Sequence, residues 1–472
     1  MSELFATHRD TLEAARRALA SRGFWSAYSE VPKTYGEPAA AEGEAAWRAL
    51  LDRPFVLGDE DGLERVGGEV SPFGPALGIT YAVRDPADLV ARAEAAAGAW
   101  AAATVETRAG IALEILARLN RDSFTLARAV DNTTGQAFAM AFQAGGPHAQ
   151  DRGLEAVAVA VDELTRIPAT ATWEKPVGRS TLRIDKEWRI VPRGVALVIG
   201  CATFPTWNGY PAIFADLVTG NPVIVKPHPA AVLPLALTVR IAREVLTEEG
   251  FSPDVVQLAV DVPGRPLAEV LARDPAVGIV DFTGSSAFGT HLRTTLRDTQ
   301  VFTEEAGVNT VVIDSTADFA GLCRNLAFSL ALYSGQMCTT PQAIFVPRDG
   351  ISTDLGVKSF EEVGAGLVAA IDDLLADPAR ALGVLGAIQN PATLARLDEA
   401  RRLGRILRDS ASLQVEGART ATPLLLAVEA ADRAAWGEER FGPISFLVAT
   451  EGDAEGVALA ARSAKERGAI TA

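Results

Sequence analysis

The chain has 472 residues, more than one typical hydrophobic core holds, which predicts two or three domains. Hydrophobic residues make up 48% and charged residues 22%, the balance of a soluble globular protein. The net charge of −16 argues against nucleic acid or an anionic membrane surface as the main partner.

Cysteine and histidine are few and scattered. Three cysteines and four histidines show neither the spacing of a disulfide framework nor that of a zinc site, so we expect no metal. The first ten residues lack the basic and apolar regions of a signal peptide. No apolar run is long enough to cross a bilayer, so we expect a cytoplasmic protein without a membrane partner.

The first part of the chain is predicted to be helical. Helical patterns occupy residues 1–70 around a loop near 31–38, and apolar residues recur at helical spacing over 85–130, with Trp100 on the apolar side. A further helix is predicted over 151–164. Residues 169–193 then alternate apolar and basic side chains around a turn, which predicts an exposed hairpin. A basic ligand-binding patch is the alternative there.

After residue 194, short runs rich in Val and Ile alternate with helical patterns, which predicts buried parallel sheets. The first series contains expected strands at 195–200, 222–225, 255–259 and 278–282, with helices at 234–249 and 265–272. The second series begins at Val311 and continues through 344–346 and 446–448. We therefore expect two α/β lobes that meet near residues 307–314.

Cys338 and Glu304 are the candidate reactive residues. Cys338 sits at a Gly-Gln turn after the apolar run 322–333, where a side chain emerges from the end of a buried element. Glu304 lies 34 residues upstream, beside the strand-like run 310–313. A thiol and a carboxylate can serve as nucleophile and general base. Cys201 and Cys323 lie in apolar segments, which favours structural burial.

Other polar residues follow predicted strands. Gly284 turns the chain before a helix that Ser285 or Ser286 caps, and such helix starts bind anions. Lys226 and His228 follow a strand at the sheet edge where open α/β folds bind ligands. Each of these residues also has a purely structural explanation. A common strand-turn-helix connection would explain Gly284 and Ser285, a solvated strand end would explain Lys226, and an ordinary loop position would explain His228.

The segment 203–211 combines hydroxyl and amide donors with aromatic residues. Thr203 and Asn208 are candidate donors for an oxyanion pocket. For this segment alone, a Pro/Gly loop whose aromatic residues cover the sheet edge is the favoured interpretation.

Taken in order, five segments resemble the aldehyde dehydrogenase superfamily. They are Gly220-Asn221 to Lys226-Pro227, Gly284-Ser285 to Gly289, Glu304 to Gly307, Gly335 to Cys338, and Glu439 to Pro443. The segments from Thr203 to Asn208 and from Lys226 to Pro229 are similar to the phenylacetic acid degradation proteins of the PaaN-like branch. The resemblance implies an α/β fold of the aldehyde dehydrogenase type, with two Rossmann-like lobes, parallel sheets and a protruding bridging hairpin.

The resemblance also implies a domain plan. It places an N-terminal helical part of the cofactor-binding domain at 1–168, an oligomerisation hairpin at 169–193, a Rossmann-like cofactor-binding core at 194–309 and a catalytic domain at 310–472. The sequence ends soon after the Glu439 segment, so the C-terminal end of the catalytic domain is expected to be incomplete. We expect a homodimer or homotetramer.

The implied activity is NAD(P)-dependent oxidation of a small aldehyde to an acid in aromatic-compound (phenylacetate) catabolism, with a coenzyme A-linked substrate as one option. Cys338 would attack the aldehyde and Glu304 would activate water. The implied cofactor-binding residues are Lys226 for the adenosine ribose, Gly284, Ser285 and Gly289 for the phosphates, Glu439 for the nicotinamide ribose, and Phe441 beside it.

Departures from the family pattern leave alternatives. Thr203 occupies the register of the usual Asn donor and Asn208 lies five residues later, so both stay candidates. Pro229 stands where NAD-preferring members often carry a ribose-binding Glu, so we expect the enzyme to tolerate NADP. His228 or Lys226 could favour the binding of NADP. Both NADP and NAD therefore stay candidate cofactors. A coenzyme A-acylating enzyme and a catalytically silent scaffold are the alternative functions. A helix start and a bound nicotinamide would lower the pKa of Cys338.

Overall fold

The computed structural model describes residues 3–58 and 60–471. Its N-terminal part is mainly helical, as predicted, and the helical region 85–130 is divided where Thr104 and Asp122 cap successive helices. Trp100 is fully buried and its indole N–H donates to the Leu217 carbonyl at 3.1 Å. The elements are α1 (Glu3–Ser21), α2 (Ala39–Arg48), β1 (Pro54–Phe55), β2 (Arg65–Val66), β3 (Thr80–Ala82), α3 (Pro86–Ala102), α4 (Val105–Arg121), α5 (Ser123–Thr134), α6 (Phe138–Gly145) and α7 (Pro147–Thr165).

An antiparallel hairpin of β4 (Thr170–Val177) and β5 (Ser180–Glu187) follows. Every residue of both strands is exposed, so the predicted exposed hairpin is confirmed. Apolar side chains such as Trp173 and Ile184 face solvent on it. Its role in bridging subunits stays a prediction.

The first large sheet has five parallel strands in the order β10-β9-β6-β7-β8. Its elements are β6 (Val195–Ile199), α8 (Pro205–Thr219), β7 (Val223–Lys226), α9 (Leu233–Glu248), β8 (Val256–Leu258), α10 (Ala268–Ala272), β9 (Val277–Thr283), α11 (Ser286–Thr295) and β10 (Gln300–Glu304). The four predicted strands are confirmed. The edge strand β10 was missed because it is only partly buried and carries no apolar run.

The interpretation of residues 203–211 as a loop is wrong. Helix α8 begins at Pro205 and continues through Pro211 to Thr219. Proline is well tolerated at Pro205 because the first turn of a helix has no partner for its N–H group. The Pro and Gly content therefore gave a misleading loop signal.

The second large sheet has the order β11-β13-β18-β17-β16, parallel except for the edge strand β16. Strands were predicted at β11, β13 and β18, whereas β16 and β17 were missed. The elements are β11 (Thr310–Val312), β12 (Ser315–Thr316), α12 (Phe319–Ala331), β13 (Ala343–Pro347), β14 (Ile351–Thr353), β15 (Gly356–Lys358), α13 (Phe360–Leu374), α14 (Pro378–Leu385), α15 (Ala392–Ala400), β16 (Arg405–Arg408), β17 (Leu424–Glu429), α16 (Arg433–Trp436), β18 (Ile444–Thr450) and α17 (Asp453–Arg467).

Two parallel α/β sheets thus confirm the predicted fold class. Each is built on strands whose buried Val, Ile, Leu and Phe side chains pack under helices on both faces. The exact domain limits stay predictions. Among the helices of residues 3–58 and 60–471, none combines the length and the hydropathy needed to cross a membrane.

Candidate active site

A cavity of about 320 Å³ lies where the carboxyl ends of β6, β9 and β10 meet the segments that precede β13 and β18. We call it the catalytic cavity. It brings together most of the predicted site residues, which are Thr203, Asn208, Gly284, Ser285, Glu304, Cys338, Glu439 and Phe441. Three predicted residues, Lys226, His228 and Gly289, do not line it. Its lining residues Asn390 and Arg396 were not predicted.

The backbone before Cys338 has an unusual conformation. After α12 ends, Tyr333, Ser334 and Gly335 all have positive φ angles of 50°, 50° and 63°. A Cβ atom on Gly335 would lie 2.4 Å from the carbonyl oxygen of Gly442, so only glycine fits there. Because non-glycine residues in this region cost about 1–3 kcal/mol each, the surrounding structure must hold the turn.

Buried hydrogen bonds hold this turn. The Tyr333 hydroxyl donates to the Thr134 carbonyl at 2.5 Å. The buried Ser334 hydroxyl lies 3.0 Å from two backbone carbonyls. The Gln336 amide donates to the Ala387 carbonyl at 3.0 Å, and its oxygen accepts from a backbone N–H at 2.8 Å. These contacts fix the segment that presents Cys338.

Asn309 fixes the other side of the Cys338 turn. Its side-chain amide donates to the carbonyls of Cys338 and Thr340 at 2.5 and 3.1 Å. Its oxygen accepts from the backbone N–H groups of Ile470 and Thr471. Asn309 thereby joins residues near the end of the chain to the candidate nucleophile. Asn309 was not predicted, because it directly precedes the apolar run of β11 and belongs to none of the recognised motifs.

The Cys338 thiol is partly exposed to the catalytic cavity. Burial raises its pKa to about 12, and the nearby Glu304 carboxylate acts in the same direction, while the Arg152 guanidinium lowers it. The expectation of a lowered pKa assumed a helix start and a bound nicotinamide: the helix start is absent, and the effect of the nicotinamide stays a prediction. Cys338 lies in a turn rather than at a helix start, and its electrostatic neighbour is an acid.

This pKa predicts the pH dependence of alkylation. In cofactor-free protein, the rate at which iodoacetamide labels Cys338 should rise about tenfold per pH unit up to about pH 10, because only the thiolate reacts and its fraction grows by that factor below the pKa. Mass spectrometry of the Cys338 peptide measures the rate, and Cys323, which is 5% exposed in α12, is the unreactive internal reference. A plateau near neutral pH would show a low-pKa thiolate instead.

Glu304 is the last residue of β10 and pairs with Thr283 across the sheet edge. Its carbonyl accepts from the Gly284 N–H at 3.0 Å, which fixes its backbone at the mouth of the catalytic cavity. Its charge acts on Cys338 and on Asp281, whose pKa is raised to about 7 by burial and by Glu304. A carboxylate that lines the same cavity as the thiol is a candidate general base.

Both candidate oxyanion donors reach the catalytic cavity. The Gln136 amide donates to the Thr203 carbonyl at 2.8 Å and fixes the segment before α8. The Asn208 amide nitrogen lies 3.6 Å from the Cys201 sulfur. Within the described chain, the side-chain oxygen Oδ1 of Asn208 is buried without a hydrogen-bond partner.

The expectation of structural burial is confirmed for Cys323 and only in part for Cys201, because burial raises the pKa of the Cys201 thiol although the residue lines a cavity. Cys323 packs in the core between α12 and α13. Cys201 lies just beyond the carboxyl end of β6, is partly exposed and lines the catalytic cavity. Two cysteines therefore share this cavity, so the identity of the nucleophile has to be tested.

Glu439 and Phe441 approach the cavity from the segment before β18. The Arg396 guanidinium on α15 donates to the Phe441 carbonyl at 3.2 Å. Burial raises the pKa of Glu439, while a backbone hydrogen bond from Gly307 and the charge of Arg396 lower it. Arg396 therefore positions this segment, a role that no sequence motif around it indicated.

Ser285 caps α11, as predicted, and accepts from the Phe288 N–H at 3.4 Å. Its neighbour Gly284 leaves room for the Phe282 ring, which would lie 2.5 Å from an added Cβ. The predicted phosphate-binding role of Gly289 stays a prediction, and the structure shows a packing requirement for glycine at this position. Its missing side chain makes room for Glu305, whose carboxylate would lie 2.4 Å from an added Cβ.

A second cavity, of about 460 Å³, lies beyond the carboxyl ends of β7 and β8, and we call it the ribose cavity because the family motif predicts the adenosine ribose at Lys226. Pro229 and Asp261 line it. Lys226 ends β7 and donates a hydrogen bond from Nζ to the Asp261 carboxylate. Asp261 was missed because it lies in a Pro/Gly loop after β8.

The sequence model of the aldehyde dehydrogenase family matches residues 80–465, which include the strands of both large sheets and all the predicted site residues. The chain belongs to the aldehyde dehydrogenase family. It is therefore an oxidoreductase that acts on aldehydes, as the motifs implied.

Relatives of this aldehyde dehydrogenase differ in how much of their length it covers. It is 28% identical over 412 residues to N-succinylglutamate 5-semialdehyde dehydrogenase of Paraburkholderia xenovorans, covering 81% of this chain and 78% of that protein. It is 26% identical over 282 residues to aldehyde dehydrogenase family 7 member B4 of Arabidopsis thaliana, covering 57% of this chain and 52% of that protein.

A solved structure gives a fuller match. A crystal structure of an NAD-dependent aldehyde dehydrogenase from Burkholderia multivorans has a TM-score of 0.97 and 54% identity, covering 99% of this chain and 85% of that one. The aldehyde dehydrogenase fold is thus shown over the whole described chain. Within residues 3–58 and 60–471, the His, Cys, Asp and Glu side chains form no cluster able to hold a metal ion.

Proposed function

We propose that this enzyme oxidises an aldehyde to the free carboxylic acid, with Cys338 as nucleophile and Glu304 as the base that activates water. The observation that carries the proposal is that the thiol and the carboxylate line one cavity of about 320 Å³, close enough for Glu304 to shift the pKa of Cys338. A nucleophile and a base in one partly enclosed site are the requirements of covalent acyl chemistry.

The residues around the two cavities fit a nicotinamide dinucleotide. Lys226 and Asp261 stand at the ribose cavity, the capped start of α11 at Ser285 offers backbone N–H groups for phosphates, and Glu439 reaches the catalytic cavity. When bound, this cofactor supplies a hydride acceptor. The NAD dependence of the Burkholderia multivorans enzyme supports the assignment.

The chain's own residues perform the remaining tasks. Cys338 loses its proton and its sulfur bonds to the aldehyde carbon, so negative charge develops on the aldehyde oxygen. Thr203 and Asn208 are the side-chain donors that can stabilise this charge, and both line the cavity. In the release step Glu304 takes a proton from water, whose oxygen attacks the acyl carbon and frees the acid and the Cys338 thiol.

For the substrate, we propose an aromatic aldehyde from aromatic-compound catabolism, in keeping with the PaaN-like segments. The aromatic side chains Phe204 and Phe441 line the catalytic cavity and provide apolar surface for a ring. Glu304 in the same cavity favours release by water over transfer of the acyl group to coenzyme A.

The test is a panel of aromatic and aliphatic aldehydes, among them phenylacetaldehyde, assayed with NAD and with NADP. We expect reduced cofactor and carboxylic acid to form in equal amounts, with the highest kcat/KM for aromatic members because their rings bury more apolar surface. Absorbance and chromatography measure the two products. An absence of reduced cofactor with every aldehyde would instead support a catalytically silent scaffold.

A further inference from the structure

The ribose cavity contains a buried ion pair that the sequence motifs do not include. The side chains of Lys226 and Asp261 are 7% and 11% exposed. One carboxylate oxygen of Asp261 accepts from Lys226 and the other accepts from the Leu267 N–H at 2.8 Å. Asp261 is therefore held in one place at the edge of the cavity, with its charge next to the lysine ammonium.

The charges around this cavity are unfavourable for an added phosphate. Among its described lining residues, the charged ones are Glu69 and Asp261, both acidic. The buried Glu69 carboxylate already accepts from Tyr81 and from backbone N–H groups at the start of α9. Glu69 accepts three hydrogen bonds and is 3% exposed, whereas Asp261 accepts two and its side chain is 11% exposed, so Asp261 is the carboxylate with room for a further donor.

The cations beside the cavity already face carboxylates. Lys226 faces Asp261, and Arg265, on the loop that lines the cavity, lies 3.1 Å from Glu64. His228 is not a substitute cation, because its Nδ1 accepts a hydrogen bond from the Ala230 N–H at 3.1 Å, which requires the unprotonated nitrogen. Desolvation of the ring and the nearby Lys226 ammonium also lower the pKa of His228.

We propose that Asp261 selects NAD over NADP by accepting the 2′-hydroxyl of the adenosine ribose and repelling a 2′-phosphate. The inference rests on the proposed function, since it assumes that a nicotinamide dinucleotide occupies the ribose cavity. A hydroxyl donates well to a carboxylate, and acidic residues have this role in dinucleotide-binding folds. A phosphate, with a charge of about −1.5 to −2, would meet the Asp261 charge and a lysine already neutralised by it.

The Asp261 carboxylate compensates for the proline at position 229. The sequence predicts NADP tolerance because Pro229 replaces the carboxylate that NAD-preferring family members often carry. In the structure, Asp261 supplies a carboxylate from a different strand end, after β8, beside the same lysine. A carboxylate is therefore still present beside Lys226, although it comes from a different part of the chain.

The test is calorimetric titration of NAD and NADP into aldehyde-free enzyme, which measures binding without catalysis. We expect wild-type enzyme to bind NAD at least about tenfold more tightly than NADP, and Asp261→Asn to reduce this preference at least about tenfold, because the variant removes the repelling charge and frees Lys226. Glu64→Gln is the matched control, since it also removes one negative charge and frees one cation, Arg265. That pair is 64% and 57% exposed and therefore screened by solvent, so the preference of this variant should stay within about twofold of wild type.

The outcomes separate the two proposals. Equal affinity of wild-type enzyme for NAD and NADP overturns the role of Asp261 and leaves the proposed function standing. An unchanged preference in both Asp261→Asn and Asp261→Ser, each shown to be folded by thermal unfolding, does the same. Failure of wild-type enzyme to bind either dinucleotide overturns the proposed function and this inference together.

Discussion

Replacing Cys338 by alanine should abolish oxidation of every aldehyde, lowering kcat/KM by at least about 10⁴-fold. The variant lacks the sulfur that bonds to the aldehyde carbon, and no other group replaces a lost covalent nucleophile efficiently. The partly exposed Cys338 lies in a turn held by bonds from other residues, so we expect the fold to survive. Stopped-flow measurement of reduced cofactor over a single turnover gives the size of the loss.

Cys201→Ala is the variant that makes this experiment decisive. The Cys201 sulfur lines the same cavity and lies 3.6 Å from the Asn208 amide, one of the candidate oxyanion donors. If Cys201 serves only as lining, its alanine variant keeps a single-turnover burst while Cys338→Ala has none. The opposite pattern, a burst in Cys338→Ala and none in Cys201→Ala, would transfer the nucleophile role to Cys201.

Sequence reasoning was most successful where function depends on residues in continuous segments. Cys338, Glu304, Ser285 and Glu439 each stand in a short motif beside an apolar strand or helix, and the structure brings all four to the lining of one cavity. Parallel strands alternate with helices and share one ligand-binding edge, so motifs after different strands necessarily converge.

The residues that were missed act through contacts between distant segments. Asn309 joins the Cys338 turn to residues 470–471, and Asp261 pairs with Lys226 across two strand ends. Neither partner is visible in local spacing. The edge strand β10 was missed for a different reason, since its partly exposed residues do not form the apolar run by which buried strands are recognised.

The environment of the thiol also could not be inferred from its motif. With a pKa near 12, the Cys338 thiol is almost entirely protonated at neutral pH, so its attack requires a group that takes the proton. The Glu304 carboxylate is in the same cavity and its charge already acts on the sulfur. In the proposed mechanism, one carboxylate thus takes a proton from the thiol in the first half of the reaction and from water in the second.

Replacing Glu304 by glutamine should separate these two halves. We expect a burst of reduced cofactor with an amplitude near one per active site, formed more slowly than in wild type, followed by a steady-state rate lowered about 10²–10⁴-fold. The amide has the shape of the carboxylate but accepts no proton from water, so the acyl group stays on Cys338. Rapid-quench mass spectrometry of the Cys338 peptide should detect this acyl group.

Glu305→Gln is the matched control for Glu304→Gln. Glu305 is the next residue and also lines the cavity, but its carboxylate forms an ion pair with Arg293, so its variant should keep steady turnover.

Added coenzyme A distinguishes release of the acyl group by water from release by a thiol. If water activated by Glu304 releases the acyl group, added coenzyme A should not restore turnover of Glu304→Gln. An enzyme built for thiolysis would turn over normally once coenzyme A is present, because the thiol of coenzyme A attacks the acyl carbon without a base that activates water.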